Sequence, residues 1–159
     1  MRKNYILLVF AENKPGVLNK MMSLIRKKMY NVETITACKT ETKGISRITL
    51  GVSHSEGEII EQIIRQLQKI VEVTKVVNIT ESPHVERELA LIKVSAKNGN
   101  RAEVSDLTSI FRGNIVDVQK DSMIVEIIGS PEKIESAVKI LEDFGIEEIA
   151  RTGITAMER

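Results

Sequence analysis

YILLVFAENKPGVLNKMMSLIRKKM, residues 5–29, decides how the chain folds. Tyr5–Ala11 is a continuous apolar run of the length and composition of a buried β-strand. From Pro15 onward, Val17, Leu18, Met21, Met22, Leu24, Ile25 and Met29 recur at helical spacing, so a helix is expected over Pro15–Met29. Between strand and helix lies Glu12-Asn13-Lys14-Pro15-Gly16, a corner of bare backbone. Two readings fit it. Pro at a first helical position with Gly beside it makes an ordinary turn. The same turn leaves the first helical N–H groups unpaired beside the positive end of the helix dipole, where a carboxylate or phosphate can sit. Pro15 has no N–H, so the donors would be Gly16, Val17 and Leu18, and the Asn13 carbonyl could accept from an ammonium group. Both features together fit a free amino acid.

The rest of the chain keeps the rhythm. VETITACKT (32–40) alternates Val32, Thr34, Thr36 and Cys38 against Ile35 and Ala37. Lys43-Gly44 turns the chain into ISRITLGV (45–52), with Ile48, Leu50 and Val52 on one face. A helix from about Glu56 is striped by Ile59, Ile60, Ile63, Ile64, Leu67 and Ile70, and VEVTKVVNI (71–79) completes the order βαββαβ. TESPHVE (80–86) interrupts the pattern and is expected to be a linker. The order then repeats. ELALIKVSA (88–96) is a strand, and Arg101–Phe111 is a helix with Val104, Leu107, Ile110 and Phe111 inward. NIVDVQ (114–119) and SMIVEIIG (122–129) form a hairpin about Lys120-Asp121. Ser130-Pro131-Glu132 opens a helix striped by Ile134, Ala137, Val138, Leu141 and Phe144; Gly145 stops it before the strand IEEIAR (146–151). The expected fold class is α+β, two tandem ferredoxin-like modules over 1–80 and 81–159, each a four-stranded antiparallel sheet with two helices on one face. The other sheet face stays uncovered, and Ile and Val on it imply dimerisation or docking.

Composition removes several function classes. A length of 159 residues, 42% hydrophobic and 28% charged, is ordinary for a globular protein, and aromatics make up only 3%. The net charge of +1 argues against general affinity for nucleic acid or membrane. No apolar run approaches the ~20 residues that cross a bilayer, and the N-terminus resembles a signal peptide only weakly because Glu12 cuts its apolar core short. One cysteine, Cys38, allows no internal disulfide, and a cytoplasmic location fits. The halves differ in charge: 13 basic and 7 acidic residues in 1–80, against 10 and 15 in 81–159. These are either two ordinary surfaces or two surfaces for different partners.

Function must be read from sites, because this fold hosts many chemistries. An acylphosphatase-like enzyme needs an arginine in the first loop, which offers Asn13, Lys14 and Gly16 instead. An RNA-binding sheet needs stacking aromatics on its middle strands, and none is expected there. A soft-metal carrier needs a cysteine pair. His54 and His84 stand in polar stretches without carboxylate or thiol at ligand spacing, so no metal site and no catalytic residue is assigned. Cys38 is expected to pack as a small hydrophobe. Arg26-Lys27-Lys28 is either a solvated helix end or an anion contact, and Met21, Met22 and Met29 belong to the core by spacing.

The motifs carry a resemblance. ENKPGVL (12–18) at the head of a βαββαβ module resembles the ACT domain, a small-molecule sensor of amino-acid metabolism. Together with YNVETITA, SRITL, HVERELALIKV, FRGNIVDV and ARTGI, in that order, it resembles the regulatory small subunit of acetohydroxyacid (acetolactate) synthase over nearly the whole chain. The resemblance implies a non-catalytic subunit with no cofactor of its own. Its partner would be a catalytic large subunit carrying thiamine diphosphate, Mg²⁺ and FAD, which it activates and makes subject to feedback inhibition by valine. The effector would bind between paired ACT domains. Asn13, Pro15, Gly16, Val17 and Leu18 would come from one protomer, and Asn31 and Val32 from the other. Backbone N–H groups of Gly16 to Leu18 would hold the carboxylate, Asn13 and Asn31 would accept from the ammonium, and Val17, Leu18 and Val32 would contact the side chain. Pro15 stands where the family tolerates other residues. The alternative is a stand-alone ACT-type amino-acid sensor acting on another enzyme. Arg112-Gly113-Asn114 is either a turn or a docking element.

Overall fold

The computed structural model describes residues 3–27, 30–54 and 57–159. Lys28, Met29, Glu56 and the His54 side chain, which the sequence reading uses, lie outside that description. The element order is β1 (Lys3–Glu12), α1 (Val17–Lys27), β2 (Val32–Lys39), β3 (Ile45–His54), α2 (Gly57–Leu67), β4 (Val73–Asn78), β5 (His84–Ser95), α3 (Arg101–Ile110), β6 (Asn114–Val118), β7 (Ser122–Gly129), α4 (Pro131–Leu141), β8 (Ile146–Arg151) and β9 (Thr155–Glu158). Short 3-10 turns stand at Lys97–Gly99 and Glu142–Phe144. No helix among the described residues is long and apolar enough to cross a membrane.

Two units emerge, Met1–Val85 with Ile154–Arg159, and Glu86–Gly153. In the first, the strands are ordered β2-β3-β1-β4 and all pair antiparallel. Leu7, Val9, Ala11, Ile48, Leu50 and Val52 face Val17, Met21 and Ile25 of α1 and Ile60, Ile63 and Leu67 of α2. In the second, the order is β6-β7-β5-β8, with Ile92, Val94, Val125 and Ile127 packed on Val104 of α3 and Ile134 and Leu141 of α4. Both are ferredoxin-like βαββαβ modules with helices on one face, as the repeat in the sequence requires.

The first sheet is covered on its other face as well. Ile6, Leu8 and Ile79 are buried there by Ala156, with Phe10, Val77 and Ile154 half-buried around them. The cover is the C-terminal segment. Arg47 Nη2 donates to the Ala156 carbonyl, and the Arg159 N–H donates to Pro83 O at 3.0 Å. β9 pairs with β5, which is why β5 starts at His84 and takes in the last three residues of the expected linker. β1 is a central strand and carries Tyr5 and Phe10, so the expectation of middle strands without aromatics does not hold. Tyr5 packs into the helix-side core, and Phe10 lies on the other face beneath Arg47, 5.5 Å from the ring centroid.

Three local departures have physical causes. α3 buries Val104 and Thr108, whereas Ile110 is 73% exposed. A residue at i+4 stays on the buried stripe and one at i+6 does not, and the Thr108 hydroxyl is satisfied by Val104 O at 2.7 Å. Cys38 is exposed, because β2 is an edge strand whose burial fades toward Lys39. α3 ends in a Schellman turn: Gly113 N–H bonds Thr108 O (2.8 Å) and Arg112 N–H bonds Ser109 O (2.9 Å). Arg112 holds the left-handed position at φ +50°, which costs a residue with a Cβ roughly 1–2 kcal/mol. Gly113 is needed at the next position, where a Cβ would stand 2.6 Å from Glu126 O. α4 starts as expected, with the Ser130 side chain accepting from Lys133 N–H and Pro131 in the first turn.

Candidate functional site

The corner after β1 is fixed from below. Glu12 N–H donates to Glu72 O and Asn13 N–H to Gly44 O, both at 2.8 Å, and Lys14 N–H donates to Glu12 O at 2.9 Å. Val17 N–H reaches Lys14 O at 3.4 Å, and Lys20 N–H bonds Gly16 O at 2.9 Å to begin the helical ladder. Pro15 and Gly16 form the turn, so α1 starts at Val17 and Pro15 is not its first residue. Gly16 adopts φ +85°, and nothing lies within 4 Å of the place where a Cβ would stand. Among the described residues the N–H groups of Gly16, Leu18 and Asn19 have no partner. The corner therefore opens to solvent with unpaired donors at a helix start.

Its charges are paired. Lys14 contacts Glu12 and Lys20 contacts Glu72. The hydrogen bond to Glu12 raises the Lys14 pKa, and the hydrogen bond from Lys20 holds the Glu72 carboxyl below the ordinary range. With both lysines engaged, anion attraction at the corner falls to the backbone N–H groups and the helix dipole.

The other expected residues divide. Asn13, Pro15, Gly16 and Leu18 are exposed at the corner, but the Val17 side chain is 5% exposed and belongs to the core, leaving only its backbone beside the opening. Asn31 is exposed and its Nδ2 donates to Glu33 Oε1 at 2.7 Å; Val32 is half-buried against the core. The register decides whether these two groups can meet. Val32 aligns with Val52, and Val52 with Tyr5, at one end of the sheet. Lys39 aligns with Ser46, and Ser46 with Ala11, at the other. Tyr5 to Glu12 at ~3.4 Å per residue spans about 24 Å. Within one chain Asn31 and the corner sit at opposite ends of the sheet.

Two of the C-terminal motifs are joined by an ion pair. Glu88 of HVERE and Arg151 of ARTGI meet in a two-point ion pair, Nε to Oε1 and Nη2 to Oε2, each 2.7 Å. Spacing gives no sign of it, because the two are 63 residues apart. His84 Nδ1 lies 2.7 Å from Ser82 O. Among the described residues no three His, Cys, Asp or Glu gather to hold a metal.

Comparison with known proteins agrees with this architecture. Residues 7–75 match the family described as the AHAS small subunit-like ACT domain, and residues 87–159 match the small subunit of acetolactate synthase. The chain is 44% identical over 155 residues to the probable acetolactate synthase small subunit of Archaeoglobus fulgidus, covering 98% of this chain and 96% of that one. It is 46% identical over 155 residues to the acetolactate synthase small subunit of Bacillus subtilis, covering 97% and 90%. The crystal structure of the acetolactate synthase small subunit from Thermotoga maritima, 40% identical, superposes with a TM-score of 0.89 over 99% of this chain and 98% of that one. With an ACT module first and its second module matched to the same subunit, the chain belongs to the acetolactate synthase small-subunit family.

Proposed function

We propose that the chain is the non-catalytic regulatory subunit of an acetolactate synthase. It activates a catalytic large subunit, which carries thiamine diphosphate, Mg²⁺ and FAD, and makes that enzyme subject to feedback inhibition by valine. The observation that carries the effector site is the open corner at Gly16, where unpaired N–H groups at a helix start face solvent with no side chain above them. A branched-chain amino acid supplies the matching carboxylate. Asn13 and Asn31 offer amide carbonyls to its ammonium group. Leu18 and Val32 provide apolar contact for its side chain.

A homodimer completes the site. β2 is an edge strand. Two copies joined antiparallel along β2 set the Asn31 end of each beside the Lys39 end of the other, the end at which the corner lies. Free, exposed Cys38 on this edge suits the reducing cytoplasm. The magnitudes match a sensor of metabolite pools. A carboxylate at a helix terminus contributes ~0.3–2 kcal/mol, a buried valine side chain roughly 1.5–3, and each hydrogen bond ~1. Set against the cost of association, these give micromolar to millimolar affinity. Valine bridging two protomers shifts the dimer between states that the catalytic subunit binds unequally, so the catalytic subunit alters valine affinity in return.

The test is calorimetric titration with valine, alone and with the large subunit, beside an acetolactate assay. Binding at or below millimolar valine and a rise in acetolactate output are expected. Absence of heat in both titrations removes the effector site, and absence of activation removes the subunit role.

A further inference from the structure

The strand end that carries Asn31 is irregular. Val32 aligns with Val52 and Thr34 with Gly51, so β2 sets two residues where β3 has one, and Glu33 is the extra residue of a β-bulge. Gly51 leaves room for it, because a Cβ there would overlap the Thr34 side chain. Asn31 and Glu33 are both exposed. Beside the bulge, Asn31 Nδ2 donates to Glu33 Oε1 at 2.7 Å. Among the described residues the Glu33 carboxylate has no cation partner, so the amide of Asn31 is the group it holds. This contact fixes which way the amide faces. A side-chain amide donates at one end and accepts at the other, and half a turn exchanges the two. A carboxylate only accepts. Glu33 therefore takes the NH2 end of Asn31 and leaves Oδ1 free.

We infer that Glu33 is a positioning residue that sets the specificity of the effector site. By holding the Asn31 amide it presents Oδ1 to the ligand's ammonium group, so the site takes a branched-chain amino acid and rejects the 2-oxo acid with the same side chain. The inference rests on the effector reading above. The two ligands share the carboxylate and the branched side chain. They differ at C2, where an ammonium group donates and a ketone oxygen only accepts. A ketone facing Oδ1 sets acceptor against acceptor and leaves both without a hydrogen bond. A polar mismatch of this kind discriminates more sharply than a difference in apolar contact.

The experiment titrates the full chain with valine and with its 2-oxo acid by calorimetry, alone and with the large subunit, while sedimentation follows the dimer. Wild type should bind valine about ten-fold more tightly or better. Glu33→Lys puts a donor in place of the acceptor and turns the amide, so that NH2 faces the ligand. It should cancel or invert the preference, a change of about ten-fold or more in the affinity ratio, whereas a merely structural residue would weaken both ligands together. The lysine charge also acts through space, but at ~1 M salt the screening length falls to ~3 Å, and the altered ratio should persist there. Glu33→Gln, which can still accept from Asn31, should stay within about three-fold of the wild-type ratio. The inference is overturned by an unchanged ratio in Glu33→Lys, by a ratio that reverts in high salt, by Glu33→Gln behaving as Glu33→Lys does, or by a wild type that does not discriminate. If Glu33→Lys loses its dimer, Glu33→Ala decides: it frees the amide and should lower the ratio below that of Glu33→Gln, and a wild-type ratio in Glu33→Ala overturns the inference. A wild type that binds no valine in either titration fails the effector reading itself.

Discussion

Arg151 grips both carboxylate oxygens of Glu88, at 2.7 Å each, and its remaining nitrogen reaches Glu135 Oε1 at 2.5 Å. The clamp ties β8 to β5 and to α4. The Glu88 side chain is 3% exposed, so its charge depends on this partner. The hydrogen bond to Glu88 pushes the Arg151 pKa up, and the cation does not titrate in any working range. Arg151→Met leaves a buried carboxylate without its cation. Loss of such a partner costs about 3–5 kcal/mol, and the partial exposure of Arg151 places the expected loss near 3. Glu88→Leu combined with Arg151→Met should recover much of it. Chemical denaturation of the three variants measures both steps. Equal stability of Arg151→Met and wild type would show that water replaces the clamp.

Acid should loosen the corner from a different side. Lys20 of α1 holds the Glu72 carboxyl below its ordinary pKa of 4.5. A carboxylate whose pKa is lowered by folding stabilises fully above the ordinary value, and that contribution disappears as pH falls through the shifted one. Wild type should therefore be more stable than Glu72→Gln at pH 7, and the gap should narrow as the pH falls below the ordinary carboxylate value. Unfolding temperatures across that range check it. A gap that widens in acid contradicts the assignment.

Removal of residues 154–159 should uncover the outer face of the first sheet. Ile6, Leu8, Ile79 and Ala156 form one buried cluster, and Arg47 reaches across it to the Ala156 carbonyl. Fully exposing a Leu or Ile side chain costs roughly 1.5–3 kcal/mol each, and these retain their neighbours in the sheet, so a loss of about 2–4 kcal/mol is expected. Denaturant midpoints and binding of an apolar dye to the shortened chain measure it. An unchanged midpoint would show that the tail rests on the sheet without stabilising it.

These six residues also show what the sequence made legible. Helical and alternating periodicity locates every strand and helix of both repeats, and Ser130-Pro131 marks the start of α4 to the residue. Such signals are local, set by the backbone of one element. The tail returns to the first module after a full repeat of the second, and no local pattern records that return. Cys38 fails for a related reason: its alternation is right, but only the sheet order reveals that β2 is an edge. Val17 is claimed by both the apolar stripe and the motif, and packing decides for the stripe. The corner is legible because Pro-Gly dictates its backbone, whereas the separation of Asn31 from it appears only once the register is known.

Gly16 separates backbone strain from ligand exclusion. At φ +85° any side chain is strained, although the space is empty. Gly16→Ala should cost about 1–2 kcal/mol of stability and weaken valine only modestly. Gly16→Asp carries the same strain and adds a negative charge where the effector carboxylate would sit. It should abolish valine inhibition while activation of the large subunit remains. An aspartate variant that folds yet loses activation would mean that the corner also docks the enzyme.

The sheet register makes the strongest demand on a shared site. If the corner of one protomer works with Asn31 of the other, Gly16→Asp and Asn31→Ala each damage both sites of a homodimer. A hybrid of the two variants is different. One of its sites receives both substitutions, the altered corner from the first variant and the altered strand end from the second. The other site combines the unaltered Gly16 of the second variant with the unaltered Asn31 of the first. Mixing the variants should restore valine binding that neither shows alone, at one site per hybrid dimer. Calorimetry on a tagged hybrid purified through both tags gives the stoichiometry. A site contained within one chain predicts the opposite, because each protomer of the hybrid would then still carry a damaged site. Recovery at half the wild-type stoichiometry therefore requires that the residues separated by about 24 Å in one chain act across two.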